Sequence, residues 1–256
     1  MLSLNINITE LAILLSILLR ISIILFMLPI FNSAGVPAAV KALIVISFSI
    51  MLFPVIRQNI KPPAFELASL ASVIIGELIY GILFALSMLL VISAFQLAGE
   101  LIGFVMGFGF SQTADPQTGE RFTVLSVWTQ LIAVLVFLSI NGHHMVLKIL
   151  VESFKTIPIG SFALDSGLFT RVILLAGMLF VVAIKLAAPV LTVLIITQIG
   201  LGLMSKFAPQ INILATSFPL TIALGVLFFG LTLVYWGDMG IESFVKLSHF
   251  LGNLSK

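Results

Sequence analysis

Apolar residues along this chain come in long blocks, near 11–31, 38–56, 67–110, 122–140, 168–204 and 213–236, separated by short polar turns. Each block is long enough for a helix that crosses a bilayer, which takes about 20 residues at 1.5 Å rise. Two blocks are too long for one simple crossing. As single helices, 67–110 and 168–204 would reach about 66 and 55 Å. Neither holds an internal turn signal of the Pro-Gly or Asn-Gly kind. The pattern therefore predicts long helices that are tilted or lifted partly out of lipid, in preference to re-entrant breaks. Pro189 marks the one place where the second is expected to kink.

Turn chemistry sets the connections: Asn32–Pro37, Arg57–Pro63, Ser111–Arg121, the Asn141-Gly142 break, the connection starting at Ile157-Pro158, and the hairpin tip Ala208-Pro209-Gln210. The first block follows Glu10 without a basic leader and continues past Pro29. It reads as a first hydrophobic helix, not as a cleavable signal. If helices alternate sides, Arg57, Lys61, Lys148, Lys155, Arg171, Lys246 and Lys256 collect on one side. Lys41, Arg121 and Lys206 collect on the other, which predicts that both termini are cytoplasmic.

Composition agrees: 61% of the 256 residues are hydrophobic and 9% charged, against about 25% charged in soluble domains. The fold class this implies is all-α and membrane-associated, built of long bent helical hairpins. A formal net charge of +2 is too small and dispersed for nucleic-acid binding. With no cysteine, disulfides, thiolate metal sites and thiol catalysis are excluded together.

Residues 96–119, QLAGELIGFVMGFGFSQTADPQTG, depart most from plain hydrocarbon. Gly99, Gly103 and Gly107 recur every fourth residue, a spacing that lines one helix face and lets another backbone approach. Met106, Phe108 and Phe110 interleave with glycines before a polar Asp-Pro loop. Such an edge reads either as a deformable hydrophobic constriction or as core packing at a helix end. Arg20, Glu77, Glu100 and Lys185 lie inside apolar blocks. At roughly 2.5–3.5 kcal/mol each they would together cost on the order of 10 kcal/mol facing lipid. They must face protein, water or each other: as internal ion pairs that fix register, as the lining of an interface or wet channel, or as proton relays.

Signals for catalysis are weak. His143 and His144 are adjacent, so on a helix they diverge by about 100° and chelate one ion poorly. No HExxH, GxSxG or GxxxxGK[ST] is present, and the glycine block does not follow a strand. No enzyme activity, cofactor or metal is expected.

Several blocks in order carry a resemblance: LRISIILFMLPIFNSAGVPAAVKALI (19–44), GELIYG (76–81), AGELIGFVMGFGFSQTADPQTG (98–119), NGHHMVLKILVESFKTIPIG (141–160) and KLAAPVLTVLIITQIGLGLMSKFAPQIN (185–212). Together they closely resemble the FliR family, the R-type export-gate subunits of bacterial flagellar and virulence type III secretion systems, over nearly the whole chain. The flagellar branch is the nearer of the two. The resemblance implies a non-enzymatic core subunit at the inner membrane, within the flagellar basal body, with P-type and Q-type subunits as partners. It further implies contact with the B-type switch and A-type export subunits and with unfolded export substrates in transit. It implies a P-like unit over 1–165, and a Q-like hairpin and tail over 166–256 that LAAP (186–189), APQIN (208–212) and SFP (217–219) echo. The family's pore-plugging loop falls on about 106–122, with Met106, Phe108, Phe110, Asp115, Pro116 and Phe122 as its pore and plug residues. Val105 departs, since members often carry a polar residue there, commonly Gln. Partner subunits would then cover Arg20, Glu77, Glu100 and Lys185 at interfaces. The rival expectation is an autonomous secondary transporter that uses Glu77 and Glu100 as proton sites.

Overall fold

The computed structural model describes residues 8–27, 37–57, 67–109, 122–159, 166–207 and 213–254. Among them are seven helices: α1 (Ile8–Met27), α2 (Ala38–Arg57), α3 (Leu67–Met106), α4 (Val124–Ser139), α5 (Gly142–Thr156), α6 (Ser166–Phe207) and α7 (Ile213–Leu254). The all-α class is as the apolar blocks predicted. Both overlong blocks are single helices, of 40 residues in α3 and 42 in α6, and α6 continues through Pro189. Among the described residues five helices are long and apolar enough to cross a membrane, or six spans if the α4–α5 pair counts as one.

The break at Asn141-Gly142 is where turn chemistry put it. Asn141 takes the left-handed conformation, φ 56°, which Asn tolerates better than other side chains. The last helix is longer than its apolar block. Beyond Trp236 the sequence turns polar, yet Gly240, Phe244, Leu247 and Leu251 keep one face buried while Asp238, Glu242 and Lys246 occupy the exposed one. Amphipathic periodicity, not hydropathy, carries the helix to Leu254.

Two compact units divide the chain. One comprises 1–90, 141–175 and 245–256; the other comprises 91–140 and 176–244. In the first, α1 packs on α2 and on α3. A Cβ at Gly81 would lie 3.0 Å from the Ile23 side chain, so the glycine permits that approach. Its core is Ile17, Ile21, Ile24, Tyr80, Phe84 and Phe154. In the second, Trp236 is fully buried. The rings of Phe95 and Phe229 meet it edge-on, with centroids 5.8 and 5.3 Å away.

Candidate functional site

The end of α3 is the best-built part of the second unit. A helix terminus leaves four carbonyls without intrahelical donors, and here each has one. The Phe108 N–H reaches the Gly103 carbonyl at 2.9 Å and the Gly107 N–H reaches Phe104 at 3.0 Å, the paired bonds of a Schellman cap. Gly107 occupies the left-handed position with φ 98°, a conformation that glycine adopts without penalty. The Val105 carbonyl accepts from Gln198 Nε2 of α6 at 3.1 Å, and the Met106 carbonyl, 3.2 Å from Thr221 Oγ1 of α7, shares that hydroxyl's proton with the Ser217 carbonyl at 2.9 Å. Met106 is fully buried, against Gly225 of α7.

The segment re-enters the described structure at Phe122, more than half exposed, and Thr123, the N-cap of α4. Thr123 accepts from the Ser126 N–H at 3.2 Å. The Glu100 carboxylate accepts from the Thr123 N–H at 2.9 Å and from its hydroxyl at 3.1 Å. A charge placed inside an apolar block thus sits at the positive end of a neighbouring helix, where the dipole and two donors favour it.

The glycines make that reach possible. A Cβ at Gly99 would lie 2.8 Å from Ser126 Cα and 2.9 Å from the Leu125 carbonyl. At Gly103 it would lie 3.0 Å from Thr123 Cβ. Both flank Glu100 and admit the first turn of α4. Gly107 differs from the predicted zipper, because α3 ends at Met106 and Gly107 caps it, facing the Phe218 ring. Of the remaining loop residues, Phe108 is half-buried, and Phe110, Asp115 and Pro116 lie outside the described residues.

In the first unit Arg20 and Glu77 are 0% and 1% exposed. Arg20 donates through Nε and Nη2 to both Glu77 oxygens, a bidentate pair. Its Nη1 donates to Ser153 Oγ at 3.1 Å, and Nη2 also reaches the Ile157 carbonyl at 3.3 Å. The Tyr80 and Phe154 rings hold the guanidinium with centroids 4.7 and 4.1 Å away, within cation–π range. The burial of this pair therefore needs no partner subunit: the chain's own α1, α3 and α5 cover it. Lys185 is different. It stands exposed on α6, with no carboxylate partner among the described residues.

Sequence reasoning missed Gln198, Thr221 and Ser153. Each is one polar residue in an apolar helix, and its use depends on which carbonyl or cation it meets. The His143 and His144 rings come within 4.2 Å of each other, closer than their divergence on a helix implied. Among the described residues no three potential metal ligands converge.

Fold and site together define an all-helical membrane protein built on helix capping and close helix packing. The sequence matches bacterial export proteins, family 1, over residues 11–246. It is 31% identical to the flagellar biosynthetic protein FliR of Pectobacterium carotovorum subsp. carotovorum over 214 residues, 84% of this chain and 81% of that one. Against the FliR of Escherichia coli strain K12 the identity is 31% over 209 residues, 82% and 79% of the two chains. Against that of Bacillus subtilis strain 168 it is 29% over 212 residues, 81% and 80%. The chain therefore belongs to the FliR family of bacterial export proteins.

Proposed function

We propose that this chain is a non-enzymatic core subunit of the flagellar type III export gate, in which the segment 106–122 closes the inner-membrane channel until unfolded substrates pass. The observation that carries the reading is the fixing of both roots of that segment. Four capped carbonyls hold it at Met106, and Glu100 holds it at Thr123. A loop between two rigid anchors can seal a passage and yield without loosening its frame. Assembly with P-type and Q-type subunits, contact with the B-type and A-type components, and the P-like 1–165 and Q-like 166–256 division belong to the same reading. Against the transporter alternative stand the partners of its two carboxylates, Arg20 for Glu77 and Thr123 for Glu100.

Deleting residues 110–121 while keeping both roots tests the reading. Assembled gates in proteoliposomes should leak small ions, with subunit composition unchanged. An intact assembly with wild-type leak would remove the plug role.

A further inference from the structure

The two roots of the segment 106–122 are held by different means. At Thr123 the holding group is the Glu100 carboxylate, which accepts two hydrogen bonds. Parting them would leave a half-buried charge short of both donors, the costlier kind of bond to break. At Met106 the holding groups outside α3 are neutral and lie on α6 and α7. Phe218, Thr221 and Gly225 follow at steps of three and four, so they share one face of α7. The Phe218 ring lies against Gly107, the Thr221 hydroxyl faces the Met106 carbonyl, and Gly225 makes room for the Met106 side chain.

That face is where the first half of α7 is buried. Among residues 213–235 whose side chains are described, only Thr221 and Gly225 are buried. The second half is anchored more deeply. Trp236 and Phe244 are buried there, and the Phe244 ring meets Phe137 of α4 with centroids 5.1 Å apart. Thr221 is also suited to letting go. Its hydroxyl lies 2.9 Å from the Ser217 carbonyl and 3.2 Å from that of Phe218, both acceptors in its own helix. When Met106 leaves, the proton keeps a partner, so separation strands no donor on α7. Gln198, the other outside donor, is exposed, and water can replace the carbonyl it gives up.

We infer that Phe218, Thr221 and Gly225 form a latch. When the segment yields to a passing chain, the first half of α7 parts from the end of α3, while the bonds within α3 and from Thr123 to Glu100 stay closed. The inference rests on the plug reading above and names the contact that releases it. The frame of the segment is then α3 with α4, and α7 is the member that moves.

The chain has no cysteine, so disulfide staples can be placed without background. A Cβ at Gly225 would lie 2.7 Å from Met106 Cγ, where a cysteine at 106 would carry its sulfur. Met106→Cys/Gly225→Cys therefore staples the latch. A Cβ at Gly240 would lie 3.5 Å from Val136 Cβ, within the about 3.5–4.5 Å of a disulfide. Val136→Cys/Gly240→Cys thus staples the anchored half of α7 to α4. Each chain would be expressed in the assembled export apparatus, and export of a reporter-tagged substrate measured oxidised and then reduced, with closure read by loss of thiol labelling. Reduction should raise export about tenfold or more for the first staple and change it by less than about twofold for the second. Thr221→Val keeps the shape and removes the hydroxyl; it should raise small-ion leak of assembled gates about three- to tenfold.

Equal export by the oxidised and reduced forms of the first staple overturns the latch. So does a block by both staples, which would make α7 move as one body, and wild-type leak from Thr221→Val removes the hydroxyl from it. The deletion of 110–121 keeps the two readings apart. Leak from that deletion, with free export through the closed first staple, sinks the latch alone; wild-type leak from it sinks the plug and the latch together.

Discussion

Arg20 and Lys185 are both basic residues well inside apolar helices, and the protein treats them in opposite ways. Arg20 is sealed by three helices of its own chain, with a bidentate carboxylate, a hydroxyl, a carbonyl and two aromatic faces. Lys185 is left facing outward. The helices around them differ in the same sense: half of the apolar window of α3 is buried within the chain, but only 28% of that of α6 and 11% of that of α7. The region that carries Arg20 completes itself, whereas α6 and α7 keep their faces for something else. Residue choice follows: a planar guanidinium suits a fixed cage of acceptors, and a flexible ammonium suits a contact made later.

The comparison breaks most sharply at Glu77. Glu77→Leu strands a buried guanidinium and should destabilise the folded chain by about 3–5 kcal/mol, read as a shift in denaturant midpoint in detergent. The double variant Arg20→Met/Glu77→Leu should recover most of that loss. Lys185→Met, by contrast, should change the isolated chain by no more than about 0.5 kcal/mol. A comparable loss at both sites would erase the distinction.

Next in size is Gly99→Val, which meets the backbone of α4 at Ser126 and should cost about 1–3 kcal/mol. Gly103→Val meets the Thr123 side chain, with Oγ1 at 2.7 Å and Cβ at 3.0 Å, and no backbone atom; it should cost less and lower complex yield less. Equal losses would mean that helix propensity, not close approach, sets the penalty.

Glu100→Gln keeps the shape of the cap and removes its charge. It should cost about 1 kcal/mol. In that background Thr123→Val should add less than it does alone, because the two residues share one network. Gln198→Ala, which removes one exposed hydrogen bond to Val105, should fall at about 0.5 kcal/mol. Hydrogen exchange at the Gly107 and Phe108 amides would show whether that bond tightens the cap.

Much of this was legible from hydropathy. The helical class, the unbroken lengths of α3 and α6 and the Asn141-Gly142 corner follow from block length and turn chemistry alone. The end of α7 did not follow, since Asp238 and Glu242 lower hydropathy without disturbing its buried stripe. At the site, Gly99 and Gly103 announced a close neighbour but not its identity. That Glu100 would cap α4 and Arg20 would take Glu77 depends on helix azimuth, which spacing along one helix does not reveal. Gly107 obeyed the fourfold spacing and still serves another purpose, because a helix end looks like a helix middle until its carbonyls find donors. At Val105 it is the backbone carbonyl, not the side chain, that meets a neighbour, accepting the Gln198 amide.

The Arg20 cage also sets a clock. Glu77 lies 57 residues downstream and Ser153 lies 133. At about 5–20 residues per second, synthesis brings the carboxylate roughly 3–11 s after Arg20 and the serine roughly 7–27 s after. For that interval α1 carries an unmatched cation, so the insertion machinery or the membrane interface must shelter it until α3 arrives.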